Sequence, residues 1–206
     1  MPAFPAVKGP PTLLELSGAG YPPARLADST VILIDAQRVY VDGRLPLPGV
    51  RPALREAARL VARARAAGVP VIHVVQHGRP GGAICDPGGP DVAIADEVAP
   101  QPSESIIIKA LPNSFARTAL DETLRRLGRT QLIVAGFMTH MCVSTTVRAA
   151  LDHGYRCTVV AAACATRDLP DGRGGVLLAE VVHRANLAAL ADRFAVIVET
   201  ADEIPD

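Results

Sequence analysis

The chain has 206 residues, enough for one domain that buries roughly 70% of the surface its unfolded form exposes. Hydrophobic residues make up 49% and aromatics only 3%, a mix suited to a Val/Ile-rich sheet covered by Ala-rich helices. Lys+Arg and Asp+Glu both number 21, so no net field recruits nucleic acid, and no apolar run approaches the ~20 residues that cross a bilayer.

Residues 1–29 are rich in Pro and Gly and lack periodicity. They read as an N-terminal arm over the surface or a partner subunit, with a single domain following over 30–206. An apolar run at 30–34 (TVILI) ends in Asp35, Ala36 and Gln37. Leu54, Ala57, Ala58, Val61 and Ala64 then fall at helical spacing over 52–67, and Gly68 stops that helix. Residues 69–76 form a second strand-like run. The Gly/Pro-rich stretch 78–104 reads as a long functional loop with one short helix near 92–98. A third strand covers 105–109. Thr118 to Asp121 resembles a capping box for a helix ending at Gly128. A fourth strand spans 131–136, followed by a helix over 142–153 that stops at Gly154. A fifth strand covers 157–163, a helix 175–191 and a sixth strand 194–199.

Strands alternating with helices mean βαβ units. The expected fold class is α/β: a single-domain, three-layer α/β/α sandwich with a six-stranded parallel sheet in the doubly wound order 3-2-1-4-5-6. There is no internal repeat. The opening Met-Pro-Ala-Phe-Pro lacks the profile of a signal peptide. Four cysteines without CxxC or Cys/His spacing read as reduced thiols, so a cytoplasmic location is expected.

Ligands in such sheets bind beyond the carboxyl ends of the strands. The polar residues placed there are Asp35 and Gln37, Gln76 and His77, Lys109, and the segment from Gly136 to Cys142. Taken singly, an Asp after a strand often caps a loop and a strand-end Lys is often solvated. Cys142 stands out because a helix N-terminus stabilises a thiolate and its N–H groups face any anion that forms. Cys85 in the loop reads as incidental, and Cys157 and Cys164 as core residues. His73 reads as a satisfied core residue, His77 as reaching the pocket and His140 as shaping the site. His153 suits a helix end, and His183 an exposed helical face.

The stretch Gly136-Phe137-Met138-Thr139-His140-Met141-Cys142-Val143 closely resembles the nucleophile segment of isochorismatase-like cysteine hydrolases. Leu33-Ile34-Asp35-Ala36-Gln37 is similar to that family's first-strand aspartate motif. Ile106-Ile107-Ile108-Lys109, with Asn113-Ser114-Phe115 after it, is similar to its lysine segment. The likeness spans about residues 30–200 in the order Asp, Lys, Cys. It implies Asp35 as general acid/base, Lys109 as the cation that holds it, and Cys142 as nucleophile. It also implies a cis Phe137–Met138 peptide and an oxyanion hole from the backbone N–H groups of Met138 and Cys142.

The implied reaction is cleavage of a small-molecule amide C–N bond through a thioester on Cys142. Vinyl-ether hydrolysis and a catalytically silent binding member are the alternatives. The metal-binding relatives carry an Asp-x-His pair after the first strand, but residues 42–46 here read Asp-Gly-Arg-Leu-Pro, so no metal and no other cofactor is expected. Position places Gln37, Tyr40, His77, Phe115, Phe137 and Thr139 on the pocket wall, which suits a small neutral or weakly polar substrate. Arg117 and Arg148 read as solvated. Relatives commonly form dimers or tetramers, so a homo-oligomer is expected, with no nucleic-acid or membrane partner.

Overall fold

The computed structural model describes residues 9–206. Its strands are β1 Ser29–Ile34, β2 Val71–Gln76, β3 Ser105–Lys109, β4 Gln131–Phe137, β5 Arg156–Ala165, β6 Leu169–Pro170, β7 Val176–Leu177 and β8 Ala195–Val198. Six of them form one sheet in the order β3-β2-β1-β4-β5-β8, and every pairing in it is parallel. This is the doubly wound order expected, with β8 as the sixth strand because β6 and β7 form a separate antiparallel hairpin.

Side-chain alternation along the strands builds the three layers. Val31, Leu33, Ile133, Ala135 and Phe137 pack on one face against Leu54, Ala57, Leu60 and Val61 of α2 (Val50–Ala66), where α1 is the short turn Leu13–Leu16. The intervening Ile32, Ile34, Leu132 and Val134 face the other layer. That layer consists of α3 (Leu120–Leu127), α4 (Ser144–Asp152) and α5 (Ala179–Arg193), which contribute Leu124, Val147 and Leu190. Each fully buried aliphatic side chain contributes roughly 1.5–3 kcal/mol. With both faces covered, the carboxyl edge is where polar groups converge.

Several local expectations are corrected. The arm is not wholly irregular: Thr12 and Glu15 form a capping box for α1, and the Leu13 N–H donates to Asp192 Oδ1 on α5 at 2.9 Å. Residues 1–8 of that arm lie outside the described residues. Thr118 and Asp121 form no reciprocal capping box: Ala119 holds the N-cap position of α3, and the Thr118 hydroxyl donates to Ser114 O while accepting from the Leu120 N–H at 3.2 Å.

The helix expected near 92–98 is two single turns, Pro90–Val92 and Asp96–Val98. The backbone between them pairs with β1's exit instead, through Arg38 N–H to Ala93 O at 2.9 Å and Ala95 N–H to Ala36 O at 2.8 Å. The helix expected from residue 175 starts at Ala179. Ahead of it, Asp171 Oδ1 accepts from the N–H groups of Arg173 (2.7 Å) and Gly175 (2.8 Å), closing the β6–β7 turn. Cys142 does not open a helix either. It sits in a π-turn, Thr139–Val143, ahead of α4.

Candidate functional site

Asp35 follows β1 with φ 50°, a left-handed conformation that costs a non-glycine residue of order 1–3 kcal/mol. The surrounding sheet enforces it: Asp35 N–H donates to Val74 O at 2.8 Å, and Asp35 O accepts from Gln37 N–H at 2.8 Å. Across the sheet, Gly136 stands opposite Ile34 with φ 122°, and a Cβ there would lie 2.0 Å from Ile34 O. Only glycine lets β4 turn at this point. The Phe137–Met138 peptide that follows is cis. The Met138 N–H has no hydrogen-bond acceptor among the described residues, while its carbonyl accepts from Met141 and Val143.

Lys109 ends β3 opposite Gln76, and its side chain is fully buried, as is that of Asp35. Its ammonium donates to Gln76 Oε1 at 2.6 Å and to Cys142 Sγ at 3.3 Å. It lies 2.8 Å from Asp35 Oδ2. That last contact is close but off axis, since neither Asp35 oxygen meets hydrogen-bond geometry among the described residues. An acid, a cation and a thiol from three separate elements thus share one buried point.

Burial pushes the Asp35 carboxyl up, and the Lys109 ammonium opposes that shift. Burial also pushes the Cys142 thiol up to about 12, with the Asp35 charge adding and Lys109 opposing. Burial at this position thus works against the dipole-held thiolate expected at a helix start. In the core, burial likewise pushes Cys157 and Cys164 to about 12.

Several expected pocket residues take other places. Gln37 is fully buried. It is a structural clamp: Oε1 accepts from Gln76 N–H at 2.9 Å, and Nε2 donates to Gln76 O at 3.1 Å and Val92 O at 2.7 Å. Tyr40 packs edge-on against buried Phe137. Burial, then the charges of Asp35, Cys85 and Cys142, push its phenol up, so its hydroxyl shares the field of the site. His77 is half-buried, and its backbone N–H donates to Lys109 O at 2.9 Å.

Phe115 turns away instead. Buried Ser114 bonds Thr146 Oγ1, which directs the Phe115 ring onto His153 and Tyr155, centroids 4.6 and 5.8 Å away. Tyr155 precedes the amino end of β5, the opposite edge of the sheet. Arg148 lies over the Phe194 ring.

Thr139 is buried and pairs with His183 Nδ1 at 2.9 Å. His183 is therefore half-buried and not on an open helical face, because the π-turn packs against α5; burial pushes its pKa down. His140 bonds the Thr166 hydroxyl. A cleft of ≈ 280 Å³, lined by Gly49, Cys164, Thr166, Ala179, Glu180 and His183, abuts the carboxyl end of β5. Asp35, Lys109 and Cys142 do not line it, and Cys142 is 5% exposed.

Two neighbours of the cluster carry little signal in the sequence. Gln76 stands there only as a polar residue at a strand end. Cys85 takes φ 54°. It is buried, and its thiol is pushed up first by that burial and then by the Asp35 charge. Its only signal in the sequence was a thiol in a long loop. Among the described residues, no cluster of His, Cys, Asp and Glu has the arrangement of a metal site.

Known proteins carry the same arrangement of elements. A crystal structure of an isochorismatase from Pseudomonas putida KT2440 superposes with a TM-score of 0.90 at 46% identity, covering 94% of this chain and 99% of that one. A cysteine hydrolase from Pseudomonas syringae pv. phaseolicola 1448A gives a TM-score of 0.82 at 29% identity, covering 88% and 93%. In sequence, a secreted isochorismatase effector of Verticillium dahliae is 37% identical over 186 residues, 89% of this chain and 95% of its own length. Residues 29–202 match the isochorismatase domain, a span that contains every group of the buried cluster. With fold, relatives and domain in agreement over nearly its whole length, the chain belongs to the isochorismatase family of hydrolases.

Proposed function

We propose that this chain is a cysteine hydrolase that cleaves the C–N bond of a small-molecule amide. The observation that carries the reading is the Lys109 ammonium standing 2.8 Å from Asp35 Oδ2 and 3.3 Å from Cys142 Sγ, all three side chains buried. A thiol at about 12 needs a base at hand, and Asp35 is that base. As Asp35 removes the proton, the sulfur attacks the amide carbon, and Lys109 stabilises the negative charge as it shifts from carboxylate to sulfur. The backbone N–H groups of Met138 and Cys142 receive the carbonyl oxygen. Losing one such donor typically costs about 10²–10³-fold in rate. Asp35 then returns its proton to the leaving nitrogen, and the amine departs, leaving a thioester on Cys142. A water deprotonated by Asp35 attacks the thioester and frees the acid, and the thiol regains its proton. The name cysteine hydrolase, borne by one structural relative, supports this assignment; no cofactor enters the scheme.

The test is turnover of a panel of small amides, with isochorismate assayed beside them. Wild-type protein is expected to cleave one or more amides. Cys142→Ala is expected to keep its circular dichroism spectrum and lose at least about 10⁴-fold in kcat, on the scale of nucleophile removal in other hydrolases. Full activity in Cys142→Ala, or turnover of isochorismate alone, ends the reading.

We also infer a homo-oligomer, dimer or tetramer, and a cytoplasmic location. All four cysteines are unpaired, which suits a reducing compartment, and cell fractionation of the full chain tests the location. One relative is described as secreted, so recovery outside the cell is the result that counts against it.

A further inference from the structure

We propose that Gln76 is a positioning residue for this site, its carboxamide oxygen fixing the Lys109 ammonium where it faces both Asp35 and Cys142. The inference rests on Cys142 being the nucleophile. An ammonium offers three donors and no acceptor. Here it meets three neighbours: Gln76 Oε1 at 2.6 Å, Asp35 Oδ2 at 2.8 Å and Cys142 Sγ at 3.3 Å. The shortest contact is to the uncharged group. Lys109 carries its charge on a flexible four-carbon stem at the end of a strand paired on one side only. An acceptor on the neighbouring strand, at the register position opposite, is what holds that stem in one place.

The acceptor's neutrality matters. A carboxamide oxygen anchors the ammonium without consuming its charge, which stays available to the carboxylate and the sulfur. A carboxylate at that position would compete with both. The carboxamide is itself oriented, since Gln76 Nε2 donates to His77 O at 3.1 Å and leaves Oε1 directed at Lys109. The Gln76 backbone is clamped on both polar groups by the buried Gln37 amide, which also reaches Val92 O at 2.7 Å. The last residue of β2, where strands ordinarily fray, is thus held by the exit of β1 and by the 78–104 loop. Besides Lys109, Asp35 after β1 and Tyr40 in the segment that follows it share the field of the Cys142 sulfur, and Cys85 in the loop lies in the field of Asp35 and Lys109.

The test uses full-length Gln76→Leu and Gln76→Glu with two readouts. The first is kcat and KM on an amide cleaved by the wild type. The second is the rate of Cys142 alkylation by chloroacetamide at pH 8, followed by peptide mass spectrometry, which needs no substrate. Gln76→Leu is expected to lose about 10–100-fold in kcat with KM within about 2-fold, the pattern of a misplaced catalytic group. Its Cys142 alkylation is expected to slow about 10-fold, because the sulfur anion loses its fixed cation. Gln76→Glu keeps the shape, diverts the ammonium, and is expected to show the same slowing. A merely structural role would lower the melting temperature and leave the Cys142 alkylation rate unslowed. Wild-type kcat with an unslowed alkylation rate in Gln76→Leu overturns the proposal; if that variant does not fold, an unslowed rate in Gln76→Glu overturns it. Normal turnover by Cys142→Ala would instead remove the nucleophile reading, and the alkylation rates would still decide whether Gln76 holds the cation beside the sulfur.

Discussion

At the scale of single residues, the site is a contest between burial and charge. Burial raises both the Asp35 carboxyl and the Cys142 thiol, and one ammonium opposes both shifts. Asp35 must be ionised to act as a base, so the acid limb of kcat/KM is expected above the ordinary carboxylate value of 3.8. Lys109→Met removes the largest influence opposing burial. Its acid limb is expected to move to higher pH, together with a fall in kcat. An acid limb that stays in place in Lys109→Met would show that the ammonium does not act on Asp35. The same substitution leaves a carboxylate buried without its partner, a change that typically costs about 3–5 kcal/mol, so denaturation must be followed alongside the rate profile.

At the scale of elements, a second buried polar cluster ties α2 to the lead-in of β3. Arg65 bonds both oxygens of Glu104, at 2.7 and 2.9 Å, and His73 Nε2 lies 2.9 Å from Glu104 Oε2. Burial alone would raise the Glu104 carboxyl, but Arg65, the Gln101 N–H and His73 together hold it at about 2, below the ordinary 4.5. Burial pushes His73 below its ordinary 6.5. In both cases the unfolded chain binds protons more readily, so the stabilisation is present at neutral pH and is lost on acidification. The loss starts below about 6.5 through His73 and continues from about 4.5 towards 2 through Glu104. Urea midpoints measured across that range are expected to fall steadily for the wild type. Glu104→Gln is expected to be less stable at pH 7 and to lose the acidic part of that slope; an unchanged slope would refute the assignment.

The elements also show what local sequence can convey. β3 was legible to the residue because SIIIK is short and bounded, and Asp35, Lys109 and Cys142 were legible because each follows an apolar run. The partners of those groups were not. Gln37 reaching Val92, and Gln76 reaching Lys109, are contacts across 55 and 33 residues of chain, which no local periodicity encodes. Phe115 was misplaced for the same reason: the Ser114–Thr146 bond that turns it away spans 32 residues. β7 falls inside the helix expected over 175–191 and β6 lies in the unassigned stretch before it, because two-residue strands are too short to show alternation.

At the scale of the whole molecule, the surface leaves apolar side chains in several places, two of them with neighbouring members. Val176 (63% exposed), Leu178 (60%) and Val181 (52%) flank the hairpin and the first turn of α5, while Ile106 (51%) and Ile108 (55%) lie along β3. With a formal net charge of zero, self-repulsion does little to keep copies apart. Contiguous exposed apolar groups of this kind are characteristic of association surfaces. Sedimentation velocity at micromolar concentration is expected to show a dimer or tetramer. Replacing both Leu178 and Val181 by Asp is expected to shift it towards monomer. A monomeric wild type would end the oligomer proposal.

The ammonium rides on the outermost ribbon of the sheet, whose single hydrogen-bonded neighbour is β2. Outer ribbons are among the first segments to open when a fold breathes. An opening confined to that ribbon would carry the cation away while the inner ribbons that bear the acid and the thiol stay assembled. Turnover is therefore expected to fall at lower urea than the circular dichroism signal does, and coincident midpoints would refute this.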